Sequence, residues 1–117
     1  MVEVLGPLGS PVQRRVYVRS LDDHGQVYSR NFQFIVHDYL PQPAITPTGV
    51  AMKLPQTFTW SVNDDQGREL IHVDGTSNDD FCYGMAAGYA GSYTYRGRFK
   101  GQPISGDGGY IENIDYR

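Results

Sequence analysis

Residues 81–117 read FCYGMAAGYAGSYTYRGRFKGQPISGDGGYIENIDYR, and two alternating runs stand out within them. Ser92 to Phe99 (SYTYRGRF) alternates polar and aromatic side chains, the period-two signal of a half-buried strand. Gly109 to Tyr116 (GYIENIDY) alternates again. Between them, Lys100 to Gly108 (KGQPISGDG) reads as a loop or broad bulged turn whose glycines supply positive φ. Together these runs predict an antiparallel hairpin.

Upstream of the hairpin, Thr76 to Asp80 is a polar loop that could cap a short helical turn over Phe81 to Ala87, although Gly84 and Gly88 favour a strand with a bulge there. A second hairpin precedes it. Gln56 to Val62 places Phe58, Trp60 and Val62 on one face, Asn63 to Gly67 turns, and Glu69 to Gly75 returns. Gly49 to Leu54 predicts a short strand. Pro41 to Pro47, with three prolines, is a connection at a sheet corner or edge, since proline cannot donate to a central ladder. Gln26 to Tyr39 reads as one long strand with Phe32, Phe34 and Val36 on its apolar side. Arg14 to Leu21 is a strand ended by the turn Asp22 to Gly25, and residues 1–12 read as an extended arm.

The 117 residues make room for one domain, residues 1–117. Fourteen glycines, seven prolines and nine tyrosines, with no sustained helical periodicity, predict an all-β chain. The pattern is an antiparallel up-and-down meander of about 6–8 strands, a barrel or half-barrel. Fewer strands than close a small barrel leave an edge exposed, and a homo-oligomer is the natural remedy. A net charge of −3 and a pI near 5.4 speak against a nucleic-acid partner. No apolar run is long enough to span a bilayer, so no membrane partner is expected. The single cysteine, Cys82, and the lack of a leader-like start predict a cytoplasmic protein.

The terminal hairpin resembles the last hairpin of lipocalin-like proteins related to hydroxyneurosporene synthase (carotenoid 1,2-hydratase) and of a similar uncharacterised bacterial family. The likeness rests on the Gly97-Arg98-Phe99 strand, the glycine-rich turn and the closing Gly109-Tyr110-Ile111-Glu112. Where that ending has a Gly-X-Gly-Tyr pattern, this chain has Gly106-Asp107-Gly108-Gly109-Tyr110, one residue more, which bears on the register of the turn. Such proteins usually pair two β-units, and this chain resembles the second. The resemblance implies a cavity for a hydrophobic small molecule and cofactor-free hydration, isomerisation or cyclisation. It transfers no catalytic residue.

Two titratable residues are candidates for acid–base chemistry. Glu112, between Ile111 and Asn113 on the closing strand, would serve as a general acid if its face were the interior; the alternative is a carboxylate that ties down the barrel end. His72, two residues from Asp74 on one strand face, would be oriented for proton transfer by that carboxylate, or simply be satisfied on a sheet surface. The three histidines have no metal-ligand spacing and no metal is expected; the Asp79-Asp80 pair is explained by turn chemistry. Trp60, Tyr83, Tyr93, Tyr95, Phe99 and Tyr110 are the candidate ligand-binding set, an apolar wall with a few polar tips, or else a packed core. Two functions remain open: a small-molecule binder, with or without acid–base chemistry, or a non-catalytic β module that assembles through an open sheet edge.

Overall fold

The structure is a computed structural model describing residues 2–5, 11–18, 26–28, 31–84 and 88–114. The described elements are strands and turns, an all-β chain. Strands β1 (Val2–Leu5), β2 (Pro11–Val18) and β3 (Gln26–Tyr28) form an antiparallel three-stranded sheet. Val2 to Leu5 is therefore a paired strand rather than an unpaired arm, with Val2 opposite Arg15 and Leu5 opposite Pro11.

The main sheet contains β4 (Phe32–Tyr39), β7 (Pro55–Asn63), β8 (Glu69–Ser77), β10 (Gly88–Phe99) and β11 (Gln102–Ile114), ordered β11-β10-β8-β7-β4, with β9 (Cys82–Gly84) also paired to β10. All its pairings are antiparallel, and the sheet curls into a half-barrel. The expected single strand over 26–39 is instead two strands in two different sheets. Asn31, at φ 56°, stands at the start of β4 in the left-handed region that asparagine tolerates better than most residues, so the extended run cannot continue through it.

The turns follow from their side chains. Between β7 and β8, the Asp64 carboxylate accepts the backbone N–H groups of Gln66 and Arg68, each at 2.9 Å, and Gly67 takes φ 80°. The β10–β11 hairpin is tighter than its composition suggests. Phe99 pairs with Gln102 across Lys100 and Gly101, whose φ values of 49° and 78° are the two positive values that a two-residue hairpin turn of matching twist requires. Residues 102–108, expected in a loop, belong to β11. Their glycines serve the sheet instead: Tyr93 pairs with Gly109 but Tyr95 with Gly106, so the surplus residue of the Gly106–Gly109 run is a β-bulge.

A strap runs from β4 to the other side of the sheet. Residues 44–52 form only a two-stranded hairpin, β5 (Ala44–Ile45) and β6 (Ala51–Met52), shorter than the strand expected over 49–54. Its turn is built on buried Thr46, whose Oγ1 accepts Val50 N–H at 2.9 Å. At one end Leu40 N–H reaches Leu54 O at 2.9 Å. At the other, the Tyr89 hydroxyl donates to Ile45 O at 2.8 Å and Asn113 Nδ2 to Lys53 O at 3.3 Å. Met52 and Leu54 from this strap, with Phe58, Val62 and Val73 from the sheet, are the buried apolar core. The strap thus closes one end of the concave face.

Candidate functional site

Strand register assigns the two faces. Trp60 lies opposite Phe34 and Val73, Val73 opposite Gly97, and Gly97 opposite Ile104, so these positions share the concave face. Tyr93 and Tyr95 follow the same parity on β10. Beyond the strap, this face opens into a recess of about 250 Å³ lined by Trp60, Ile71, Val73, Tyr93, Tyr95 and Ile104. Its residues are half-buried apart from Val73, which belongs to the core.

Glycines set the height of the floor. A Cβ on Gly109 would lie 2.5–2.6 Å from three contiguous atoms of the Tyr93 ring, and one on Gly106 would lie 2.8–2.9 Å from the outer edge and hydroxyl of Tyr95. Each tyrosine therefore lies across the backbone of β11, where any larger residue would lift it. Phe58 does the same over Gly75, 2.5 Å from where a Cβ would be. The rings then meet edge to face: Phe58 and Tyr93 centroids are 5.0 Å apart at 74°, and Tyr93 and Tyr95 are 6.1 Å apart at 61°. Burial pushes the Tyr93 hydroxyl pKa above its usual value, partly offset by the Trp60 indole beside it, so the phenol stays protonated near neutrality. Ser77, the register partner of Tyr93 on β8, has its Oγ buried without a hydrogen-bond partner among the described residues.

A larger depression of about 450 Å³ lies around the β7–β8 turn, between Asn31, Gln33, Ser61 and Asp64. Its most capable group is already committed. Asp64 holds the turn backbone and Arg68 Nε at 2.8 Å, and these bonds hold its carboxyl below the usual range. The concave recess is the better candidate site because it is lined by half-buried aromatic surface whose polar tips are not tied into a turn.

The convex face carries a different chemistry. The Thr59 hydroxyl donates to Asp74 Oδ1 at 2.6 Å, which leaves its oxygen to accept from His37 Nε2 at 2.8 Å. Asp74 Oδ1 also faces His72 Nε2 at 3.1 Å, a pairing that their spacing on one strand face allows. His72 Nδ1 lies 3.7 Å from Glu69, which Arg98 grips through two nitrogens at 2.9 and 3.2 Å. The Thr59 hydrogen bond, followed by the His72 imidazole, lowers the Asp74 pKa; Arg98 lowers that of Glu69. This row crosses four strands, β4, β7, β8 and β10, on the side away from Trp60.

A family model described as a family of unknown function, DUF6670, matches residues 3–117. The chain belongs to this family. No curated protein matches this DUF6670 chain. No solved structure matches it either.

Of the residues singled out in sequence, Trp60, Tyr93 and Tyr95 meet in the recess, and Phe99 stands on the same face opposite Ile71. Tyr83 packs edge to face on Tyr89 at 5.5 Å, near the strap and outside the recess. Tyr110 and Glu112 pair with Ser92 and Ala90 on the convex side and are exposed, Tyr110 by 67%. Glu112 therefore does not meet the condition that would make it an interior acid. His72 is likewise on the convex side. The sequence reading missed Ile71, Val73 and Ile104; the alternation of Ile71 and Val73 about His72 was the available signal. It also missed that Asp80 is a structural cap. Its two oxygens accept the Ser92 backbone N–H at 2.8 Å and the Ser92 hydroxyl at 2.5 Å, bridging the interruption between β8 and β9.

Proposed function

We propose that this protein binds a hydrophobic small molecule on the concave face of its half-barrel. The observation that carries this reading is the recess of about 250 Å³ in which Trp60, Tyr93 and Tyr95 remain half-buried, although Met52, Leu54, Phe58 and Val62 are already buried in a core that continues into it through Val73. Aromatic surface left accessible in a concavity, with a few polar tips, is the ordinary composition of a ligand site. Covering roughly 200 Å² of it would contribute about 5 kcal/mol before ordering costs, which suits weak to middling affinity. The likeness of the closing hairpin to lipocalin-like proteins runs in the same direction. Binding is favoured over turnover, because no carboxyl or imidazole is among the described residues that line the recess. A cofactor-independent lyase, isomerase or cyclase activity would need such a group supplied from elsewhere.

Trp60, the only tryptophan, makes the test direct. Its emission is expected to shift or quench when isoprenoid, polyketide or fatty-acid ligands are titrated in, with a rise in melting temperature by linkage. If every ligand leaves both signals unmoved, the reading is wrong.

A second reading has its own observation. The main sheet ends on β4 and β11, neither of which has an outer neighbour among the described strands, and β11 carries exposed Tyr110 and Ile114. Such an edge pairs readily with another strand, and a homodimer through β11 is the simplest assembly. Light scattering that returns only the 13.1 kDa monomer at micromolar concentration would remove it.

A further inference from the structure

Three properties of the recess narrow what it takes, given that it is a ligand site. The first is its floor. Gly109 faces three contiguous Tyr93 ring atoms at nearly equal distance, 2.5–2.6 Å from its would-be Cβ, as a point over the ring face does. One face of Tyr93 therefore rests on the β11 backbone while the opposite face looks into the recess; Tyr95, inclined 61° to it, brings its outer edge and hydroxyl over Gly106. Tyr93 thus offers a flat surface along the sheet, with Tyr95 tilted beside it as a wall. A flat ligand offset-stacks on such a floor, whereas a flexible saturated chain gains area alone.

The second property is polarity. The side-chain heteroatoms of the lining residues are the Trp60 indole nitrogen and the Tyr93 and Tyr95 hydroxyls. An indole N–H only donates, and a protonated phenol readily donates, so the recess favours an acceptor on its ligand. The third is charge. None of Trp60, Ile71, Val73, Tyr93, Tyr95 and Ile104 carries any, so an ionised ligand group would lose water there without gaining a counter-charge.

We infer that the recess takes a planar, uncharged aromatic molecule bearing a hydrogen-bond acceptor such as a carbonyl oxygen. This rests on the binding reading above and specifies its ligand class. The acceptor takes a tyrosine hydroxyl proton, the ring stacks on Tyr93 beside the tilted Tyr95, and Ile71 and Ile104 bound it at the sides. The volume is below the ~300–1,000 Å³ usual for drug-sized ligands, so a fused bicyclic ring is the appropriate size.

The test compares four ligands of one size by calorimetric titration of the full chain: 2-acetonaphthone, 2-ethylnaphthalene, 2-naphthoate and dodecan-2-one. The expected result is that 2-acetonaphthone binds at least about tenfold more tightly than 2-naphthoate or dodecan-2-one, a difference of about 1.4 kcal/mol. Tyr93→Phe and Tyr95→Phe, which keep the rings, should together weaken 2-acetonaphthone severalfold while leaving 2-ethylnaphthalene unchanged. If dodecan-2-one binds as well as 2-acetonaphthone, the aromatic class is wrong while the recess stands as an apolar site. Tightest binding by 2-naphthoate overturns the uncharged part. An equal loss of both naphthalenes in the tyrosine variants overturns the acceptor. If no compound binds, both the class and the binding reading fall.

Discussion

Tyr93 lies face-on across Gly109 of the neighbouring strand, in the one part of the β10–β11 ladder where a bulge interrupts the register. Cross-strand covering of a glycine by an aromatic ring protects a weak point of a sheet and fixes the ring's rotamer at the same time. Here it also makes the floor of the recess. The expected consequence is that Gly109→Ala displaces the ring and costs about 1–3 kcal/mol by overpacking. Gly108→Ala is the control, because a Cβ there meets nothing within 4 Å, and its effect should stay within about 0.5 kcal/mol. Denaturant melts of the two variants decide it; equal stabilities would contradict the face-on contact.

The strap should be as important to stability as the sheet. Leu54 is 3% exposed and its carbonyl accepts the Leu40 N–H. Truncation to alanine leaves a cavity between strap and sheet, with an expected cost of about 2–5 kcal/mol. Ile35→Ala, on a side chain 48% exposed, should be nearly silent. Thermal unfolding measures both, and a tolerant Leu54 would mean that the strap does not seal the core.

Acid should loosen the β8–β9 junction. The Ser92 hydroxyl and backbone N–H lower the Asp80 pKa from its ordinary 3.8. A carboxyl with a depressed folded-state pKa gives stability that is complete above the unfolded value and is lost as pH falls through the folded one. The stabilisation is therefore present near neutrality and disappears below about pH 4. Asp80→Asn keeps one acceptor but removes the titration, so its stability should be lower than the parent's at pH 7 and converge on it at low pH. Parallel stability–pH curves would show that Asp80 has no part in the acid limb.

The two faces of the sheet should be separable by mutation. His72 and Asp74 sit on the convex side, in a row that does not reach the recess. His72→Gln is expected to leave the Trp60 response to a bound ligand unchanged, whereas Tyr93→Phe alters it. Loss of the ligand response in His72→Gln alone, with folding intact by circular dichroism, would move the functional site to the convex face.

Alternation alone placed Phe58, Trp60 and Val62 on one face and Thr57, Thr59 and Ser61 on the other, because a strand's side-chain period is two and nothing tertiary alters it. For the same reason the His72–Asp74 pairing was legible from spacing. The turn chemistry of Asp64 and Gly67 is equally local. Other features depended on partners far away in the chain. Whether Glu112 faced in or out hung on the register of β11, and the Gly106–Gly109 bulge sets that register against β10. A strand's parity says which residues share a face, but only the neighbouring strand and the curl of the sheet say which face is inside. The Lys100–Gly108 run looked like a loop because glycine is the commonest turn residue, yet a glycine opposite an aromatic has the same composition and a different cause. The strap was illegible for a similar reason: its anchors, Tyr89 to Ile45 and Asn113 to Lys53, are separated by 44 and 60 residues. The sequence by itself determined most strands and their two-sidedness through local sterics; which side became the concave one was decided by long-range pairing.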